Sequence, residues 1–142
     1  MRTINHFVGG KEVAGTSGRF ADVFNPATGE VQAKVALASK SELDAAVKVA
    51  AEAFPKWSAT PPLMRARVMF RFKQLIEENM DKLAQIVTSE HGKVISDAKG
   101  SITRGLEVVE FACGIPHLLK ADYSENVGTN VDSYSMRQAL GV

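Results

Sequence analysis

The chain has 142 residues, of which 45% are hydrophobic and 23% are charged. This length and balance are typical of one folded globular domain, and they exclude a disordered segment or a coiled coil. Seventeen Lys and Arg stand against sixteen Asp and Glu, so the formal net charge of +1 excludes an overall field that would attract nucleic acid or an anionic membrane.

The first 38 residues are predicted to form short strands, because apolar and polar residues alternate along them. The alternating apolar positions are Ile4, Phe7, Val8, Phe20, Val23 and Phe24. Gly9-Gly10 is typical of a two-residue hairpin turn, and the run N-P-A-T-G at 25–29 predicts a second turn before V-Q-A-K-V-A-L-A resumes a strand. The sequence here predicts a small antiparallel meander.

From Ser39 onward the apolar residues recur with the period of a helix. Ser39 and Glu42 have the spacing of a capping box, and the helix that follows is predicted to end at Pro55. A second helix is predicted to begin with Thr60 as its N-cap and Pro61 at its first helical position, where the missing amide proton costs nothing.

Two further helical segments are predicted after position 79. Asn79 interrupts or recaps the second helix, and a third apolar stripe continues to His91, where Gly92 supplies the left-handed residue that ends many helices. A fourth helix is predicted to end at Gly114. Its apolar face comprises Ile95, Ala98, Ile102, Leu106, Val109 and Cys113.

Alternation returns from Ser124 onward, which predicts strands to the end of the chain. The alternating positions are first Val127, Thr129 and Val131, then Tyr134, Met136, Leu140 and Val142. The change of register near Asp132-Ser133 predicts a turn or a bulge there. Because the last residues, A-L-G-V, are apolar and strand-like, we expect them to continue into a longer protein.

The chain has a single cysteine, Cys113, which excludes an internal disulfide and a multi-thiolate metal site within one chain. Cys113 lies on an apolar helical face with no histidine within one turn, so a buried hydrophobic role is favoured over a nucleophile. The three histidines, His6, His91 and His117, lie on different elements without the spacing of metal ligands. The residues themselves therefore predict no catalytic group and no metal site.

No nucleotide-binding motif is present either. Gly92-Lys93 departs from a phosphate-binding loop, since Val87 stands where the motif has its first glycine and Val94 follows the lysine. No G-x-G-x-x-G run follows a predicted strand. We therefore predict no cofactor-binding residue in this chain.

The densest basic stretch, R-A-R-V-M-F-R-F-K at 65–73, is one candidate for nucleic-acid binding. On a helix its cations spread over more than one face, and Lys73 has the spacing to pair with Glu77, which favours an ordinary solvated surface. Glu107 and Glu110 likewise have the spacing of helix surface residues and not of a general acid and base. No signal peptide or membrane span is predicted, and we expect a cytoplasmic protein.

Arg104 lies between Thr103 and Gly105, beside the apolar stripe of the fourth helix, where a guanidinium could project into a cleft and bind a carboxylate with two hydrogen bonds. The pattern alone favours a surface role for this residue. Its neighbours also carry a family resemblance.

Several strings of this sequence, in their order and spacing, resemble the N-terminal region of the aldehyde dehydrogenase superfamily. They are F-V-G-G-K, F-N-P-A-T-G-E-V, A-F-P-K-W-S, R-A-R-V-M-F-R-F-K-Q-L-I-E-E-N and E-H-G-K. D-A-K-G-S-I-T-R-G-L-E-V-V-E-F-A-C-G and S-Y-S-M-R-Q-A-L-G-V are most similar to its coenzyme A-acylating branch, the methylmalonate-semialdehyde dehydrogenases. The resemblance covers essentially the whole chain, and it departs at Ser101, where many relatives have an acidic residue, and at Ala139, which is often proline.

The resemblance implies an α/β fold that is truncated before the first strand of a Rossmann-type NAD domain. Residues 1–120 would be the N-terminal part of the NAD-binding domain, with strands in 1–38 and helices in 39–114. Residues 121–142 would be oligomerisation strands that lead into the missing Rossmann core.

The resemblance also implies the chemistry of the complete protein. An NAD-dependent enzyme would oxidise methylmalonate or malonate semialdehyde with coenzyme A as acyl acceptor, and would be a homodimer or homotetramer. The family's catalytic cysteine, general-base glutamate and oxyanion-hole asparagine belong to later segments, so this segment alone would be inactive. One role carries over: Arg104, in T-R-G-L-E-V-V-E-F, would bind the substrate carboxylate.

Three other interpretations stay open at this point. The complete protein could be another NAD(P)-dependent aldehyde dehydrogenase that is not acylating. The chain could be a stand-alone interaction module that pairs its strands within 127–142 with a partner edge. Nucleic-acid binding through residues 65–73 would show as affinity that falls with salt.

Overall fold

A computed structural model describes all residues of the chain, Met1–Val142. Five strands come first: β1 (Arg2–Ile4), β2 (His6–Val8), β3 (Lys11–Val13), β4 (Phe20–Phe24) and β5 (Val31–Ala36). Five helices follow: α1 (Lys40–Ala59), α2 (Pro62–Glu78), α3 (Met80–His91), α4 (Ile95–Cys113) and α5 (Ile115–Leu118). The chain ends with β6 (Tyr123–Gly128), β7 (Val131–Tyr134) and an irregular tail. The expected α/β class is confirmed.

The β2–β3 hairpin forms where the two glycines predict it. The strands pair in antiparallel fashion with Val8 opposite Lys11, so the loop contains only Gly9 and Gly10. Both glycines have positive φ, 62° and 79°, which is the requirement of a type I′ turn.

The prediction of a wholly antiparallel meander is wrong for β1. Strand β4 pairs antiparallel with β5 across the predicted turn, but β1 lies on the other edge of β5 and runs parallel to it, with Thr3 opposite Lys34. Alternation along a strand sets which side chains share a face, whereas it contains no information on which edge the strand joins. The long connection from β1 to β5 is what permits a parallel pairing.

Helix α1 begins at the predicted capping box. The Ser39 backbone N–H donates to Glu42 Oε2 (2.8 Å), and the Glu42 N–H donates to Ser39 Oγ (3.3 Å). Glu42 also accepts hydrogen bonds from the Thr16 N–H (2.6 Å) and hydroxyl (3.0 Å), which attach the loop after β3 to the helix. These donors, the Ser39 N–H first and the Thr16 N–H second, lower the pKa of Glu42 to about 2.

The predicted end of α1 at Pro55 is wrong, since the helix continues to Ala59. Proline deprives the carbonyl of Ala51 of its amide partner, but both residues are exposed and water can take the place of the lost donor. The N-cap of α2 is Pro61 and not Thr60, because the Thr60 hydroxyl bonds back to the Lys56 carbonyl (2.8 Å) instead of to the amides of α2.

Helices α2, α3 and α4 form the packed part of the chain, with α4 against both of the others. One alanine of each helix is buried at these contacts: Ala66, Ala84 and Ala98, the last two with no exposed surface. Gly92 ends α3 with a φ of 82°, as predicted, and the bounds of α4 agree with its predicted apolar stripe.

Of the two alternatives predicted near Asp132-Ser133, a turn or a bulge, the structure has an irregularity in the β6–β7 pairing opposite Asp132. The turn is at Thr129–Asn130, where Asn130 has a φ of 59°, and not at Asp132-Ser133. Asp132 instead holds an irregularity in the pairing, since its carboxylate accepts hydrogen bonds from the Asn126 N–H (3.0 Å) and the Tyr123 hydroxyl (2.8 Å). The Asn126 N–H is the main cause of the lowered pKa of Asp132.

The predicted strand over 136–142 is absent. Residues 135–142 form no strand, because no edge within the chain pairs with them. Every residue from 121 to 142 is exposed. Five residues of the chain are buried, and all are alanines: Ala33, Ala36, Ala66, Ala84 and Ala98.

Candidate functional site

Helix α4 has two faces of different character. Residues spaced by three and four lie on one side of a helix, and this spacing places the predicted apolar stripe towards α2 and α3. Ala98 is fully buried in this inner face, and Ile102, Leu106 and Val109 are partly buried. The packing of the inner face fixes the rotation of α4 and therefore the direction of every residue on its outer face.

Arg104 lies on the outer face of α4. Residues two apart point to different sides of a helix, so Arg104 points away from both Ile102 and Leu106. It is exposed, and it is absent from every ion pair and side-chain hydrogen bond of the chain. Its guanidinium is thus free to bind an anion that approaches α4 from outside.

The outer face combines this cation with apolar side chains. Ser101, Val108 and Phe111 are three or four residues from Arg104 or from one another, so they form one stripe with it. Val108 and Phe111 are each 68% exposed. A guanidinium beside exposed aliphatic and aromatic groups suits a small ligand that has a carboxylate at one end and an apolar body.

Three polar residues near the start of α4 form a second group, the Lys93 cluster, comprising Lys93, Asp97 and Ser101. Lys93 Nζ lies 2.6 Å from Asp97 Oδ2 and donates to Ser101 Oγ at 2.8 Å. The Lys93 side chain is only 19% exposed. Lys93, through its hydrogen bond and then its charge, lowers the pKa of Asp97, and the charge of Arg104 lowers it further.

Sequence reasoning missed this cluster. Lys93 and Asp97 are four residues apart, which is the spacing of a helical ion pair, so the pair was open to prediction. In the structure Gly92 is a helix C-cap and Lys93 is engaged with α4, so neither is presented to a phosphate.

The other candidates lie apart from Arg104. Cys113 is half-buried on the inner face of α4. Lys73 of α2 pairs with Glu77 (2.5 Å), as predicted, and also with Glu110 of α4 (3.3 Å). The hydrogen bond that the Lys73 ammonium donates to the Glu77 carboxylate is the main cause of the raised pKa of Lys73. The basic stretch of α2 is therefore used partly to hold α2 against α4.

The parallel strand pairing of this chain does not have the strand–helix–strand form of a dinucleotide-binding unit. The only parallel strand pair is β1–β5, and no helix of the chain connects those two strands. No group of three side chains has the arrangement of a metal site. No helix is both long enough and apolar enough to cross a membrane.

The whole chain is similar to known semialdehyde dehydrogenases. It is 49% identical over 142 residues to malonate-semialdehyde dehydrogenase of Pseudomonas aeruginosa, covering 100% of this chain and 28% of that protein. It is 50% identical over 139 residues to the acylating, mitochondrial methylmalonate-semialdehyde dehydrogenase of Arabidopsis thaliana, covering 98% of this chain and 23% of that protein. The chain thus spans about a quarter of the length of these relatives.

Solved structures agree with this similarity. A structure described as a methylmalonate-semialdehyde dehydrogenase of Sinorhizobium meliloti complexed with NAD superposes with a TM-score of 0.94 at 57% identity, covering 99% of this chain and 29% of that one. The methylmalonate-semialdehyde dehydrogenase of Oceanimonas doudoroffii gives a TM-score of 0.92 at 48% identity, covering 97% and 28%. The sequence model of the aldehyde dehydrogenase family matches residues 13–142. The chain therefore belongs to the aldehyde dehydrogenase family.

Proposed function

We propose that the chain is the N-terminal segment of an NAD-dependent, coenzyme A-acylating methylmalonate- or malonate-semialdehyde dehydrogenase. Its relatives at about half identity carry those names, and the chain covers 28% of the first of them. In the complete reaction, semialdehyde, coenzyme A and NAD give acyl-coenzyme A, carbon dioxide and NADH. NAD accepts the hydride from the aldehyde carbon.

In this proposal Arg104 binds the substrate carboxylate. The observation that carries it is the free guanidinium on the outer face of α4, next to exposed Val108 and Phe111. A semialdehyde of this class has a carboxylate separated from the aldehyde by one carbon. Arginine binds carboxylates through two parallel charge-assisted hydrogen bonds, which orients the substrate as well as retaining it.

The other functions of the proposed enzyme are assigned to later segments of the complete protein or to the β6–β7 hairpin. The catalytic cysteine, NAD and coenzyme A belong to later segments of the complete protein, since no residue here offers a nucleotide site or an activated thiol. The β6–β7 hairpin is the oligomerisation element. A two-stranded hairpin is marginal alone, and all residues of β6 and β7 are exposed, so it needs a second surface to pack against.

Arg104→Gln in the complete enzyme tests the proposal. Loss of hydrogen bonds to a charged group costs about 1–3 kcal/mol, so kcat/KM for malonate semialdehyde should fall roughly five- to 150-fold. Propanal, which has no carboxylate, should react as in the wild type. Arg71→Gln, at an exposed arginine of α2, is the matched control. An unchanged kcat/KM for malonate semialdehyde would remove Arg104 from the site.

The same assay tests the acyl acceptor. NADH formation is followed with and without coenzyme A, and the product is identified as acetyl-coenzyme A or as a free acid. Rapid turnover to the free acid without coenzyme A would place the complete protein among non-acylating aldehyde dehydrogenases.

A further inference from the structure

We propose that Lys93 is a positioning residue for the carboxylate site: by holding the Asp97 carboxylate, it prevents Asp97 from pairing with Arg104 and leaves the guanidinium free for substrate. This inference rests on the proposed function of Arg104. It assigns Lys93 and Asp97 a part in substrate affinity although neither touches the substrate.

Asp97 and Arg104 are placed so that they would pair if nothing intervened. Seven residues make two turns of helix, which puts both side chains on one face about 10 Å apart along the axis. Side chains of a helix lean towards its N-terminus, so the long Arg104 side chain reaches towards Asp97. The charge of Arg104 already acts on the Asp97 carboxyl. Uncharged Ser101 lies between them, and no residue from 98 to 103 has a carboxylate.

Lys93 occupies the position that prevents this pairing. Its ammonium is fixed by two partners, the Asp97 carboxylate at 2.6 Å and the Ser101 hydroxyl at 2.8 Å. The second contact sets the ammonium between the Asp97 carboxylate and the turn that precedes Arg104. Its positive charge also repels the guanidinium from this end of the helix.

The other carboxylates of α4 are not rivals for Arg104. Glu110 is paired with Lys73 of α2 at 3.3 Å. Glu107 follows Arg104 by three residues and has no other ion-pair partner, yet it forms no ion pair with Arg104. Asp97 is therefore the carboxylate whose release would occupy the guanidinium.

The test uses Lys93→Met in the complete enzyme. A released Asp97 would compete with substrate at the strength of an exposed ion pair, so KM for malonate semialdehyde should rise about two- to fivefold at unchanged kcat. Kinetics with propanal should not change. Asp97→Asn added to Lys93→Met should restore the wild-type KM, because the neutral amide no longer competes. The matched control is Lys40→Met, which removes a lysine from another Lys–Asp pair with the same four-residue spacing and the same 2.6 Å separation.

The double variant distinguishes competition by Asp97 from a loss of stability. Asp97→Asn should restore KM although the Lys93–Asp97 ion pair is still absent. A crystal structure of the Lys93→Met enzyme should show an Asp97 oxygen within 4 Å of the guanidinium. An unchanged KM in Lys93→Met, or a raised KM that Asp97→Asn leaves raised, overturns the role of Lys93 while the effect of Arg104→Gln stands. If Arg104→Gln itself is without effect, the proposed function fails first, and the crystal structure still shows whether Lys93 keeps the two side chains apart.

Discussion

The surface of this chain predicts how its 142 residues would behave if they were produced alone. Their accessible surface is 10665 Å². A folded monomer of 15.3 kDa should expose about 7,100 Å², so the chain carries an excess of about 3,500 Å². The excess includes large apolar side chains such as Phe7, Leu63, Val108 and Phe111, each more than half exposed.

A protein partner with an interface of standard size would not cover this excess accessible surface. A standard protein interface covers about 800 Å² on each partner, which is roughly a quarter of what is required. The five buried alanines contribute little transfer free energy, because each buries a single methyl group. Coverage on this scale is typical of the packing between parts of one large subunit, together with a subunit interface.

We therefore expect the isolated polypeptide 1–142 to lack a cooperative native state. It should elute from size exclusion well above 15.3 kDa, bind a hydrophobic dye and unfold over a broad temperature range. The complete enzyme, measured in parallel, should show none of these properties. A monodisperse 15.3 kDa monomer with a sharp thermal transition and no dye binding would refute the surface argument and favour a stand-alone module.

Two smaller changes in the complete enzyme test the packing around α1 and α4. Because the folded pKa of Glu42, about 2, lies below its ordinary value of 4.5, its hydrogen bonds contribute stability above pH 4.5 that is lost as the pH falls towards 2. Glu42→Gln should therefore destabilise the enzyme more at pH 6 than at pH 3 in urea unfolding, and an equal loss at both values would contradict this linkage. Ala98→Leu should cost about 1–3 kcal/mol by overpacking the fully buried contact of α4, whereas Ala53→Leu on exposed α1 should cost almost nothing. Equal unfolding midpoints for the two leucine variants would show that α4 can move to accommodate the larger side chain without a loss of stability.

The predictions that hold are those that depend on neighbouring residues. The Ser39–Glu42 capping box and the left-handed Gly92 act over one turn of backbone, so their sequence signals are nearly complete. The predictions that fail depend on distant or external partners. Which edge β1 joins is decided by β5, almost thirty residues away, and the tail after Tyr134 has no partner edge in the chain. Pro55 is a third case. Proline usually ends helices, but at this exposed position water can hydrogen-bond to the carbonyl that loses its amide partner.

The candidate site was only half accessible to sequence reasoning. Periodicity identified the inner face of α4 correctly, yet the same periodicity assigns Arg104 to ordinary surface, and only the family resemblance singled it out. The ion pair of Lys93 and Asp97 was visible as a four-residue spacing, but most such pairs on helices have no function. The proposed role of this ion pair depends on a third residue, Arg104, which lies two helical turns from Asp97. A spacing of four residues does not identify that third residue.

If Arg104 binds substrate as proposed, the inner and outer faces of α4 connect stability to substrate affinity. Successive residues of a helix differ by about 100° in direction, so a side chain that displaces the inner face also turns the outer one. Small residues at the inner contacts, Ala84 and Ala98, let α3 and α4 approach closely and leave little freedom for such a turn. The direction of Arg104 is therefore set by residues buried on the opposite face of α4. Ala98→Leu should accordingly raise KM for the carboxylated substrate more than KM for propanal, because only the former depends on where the guanidinium points.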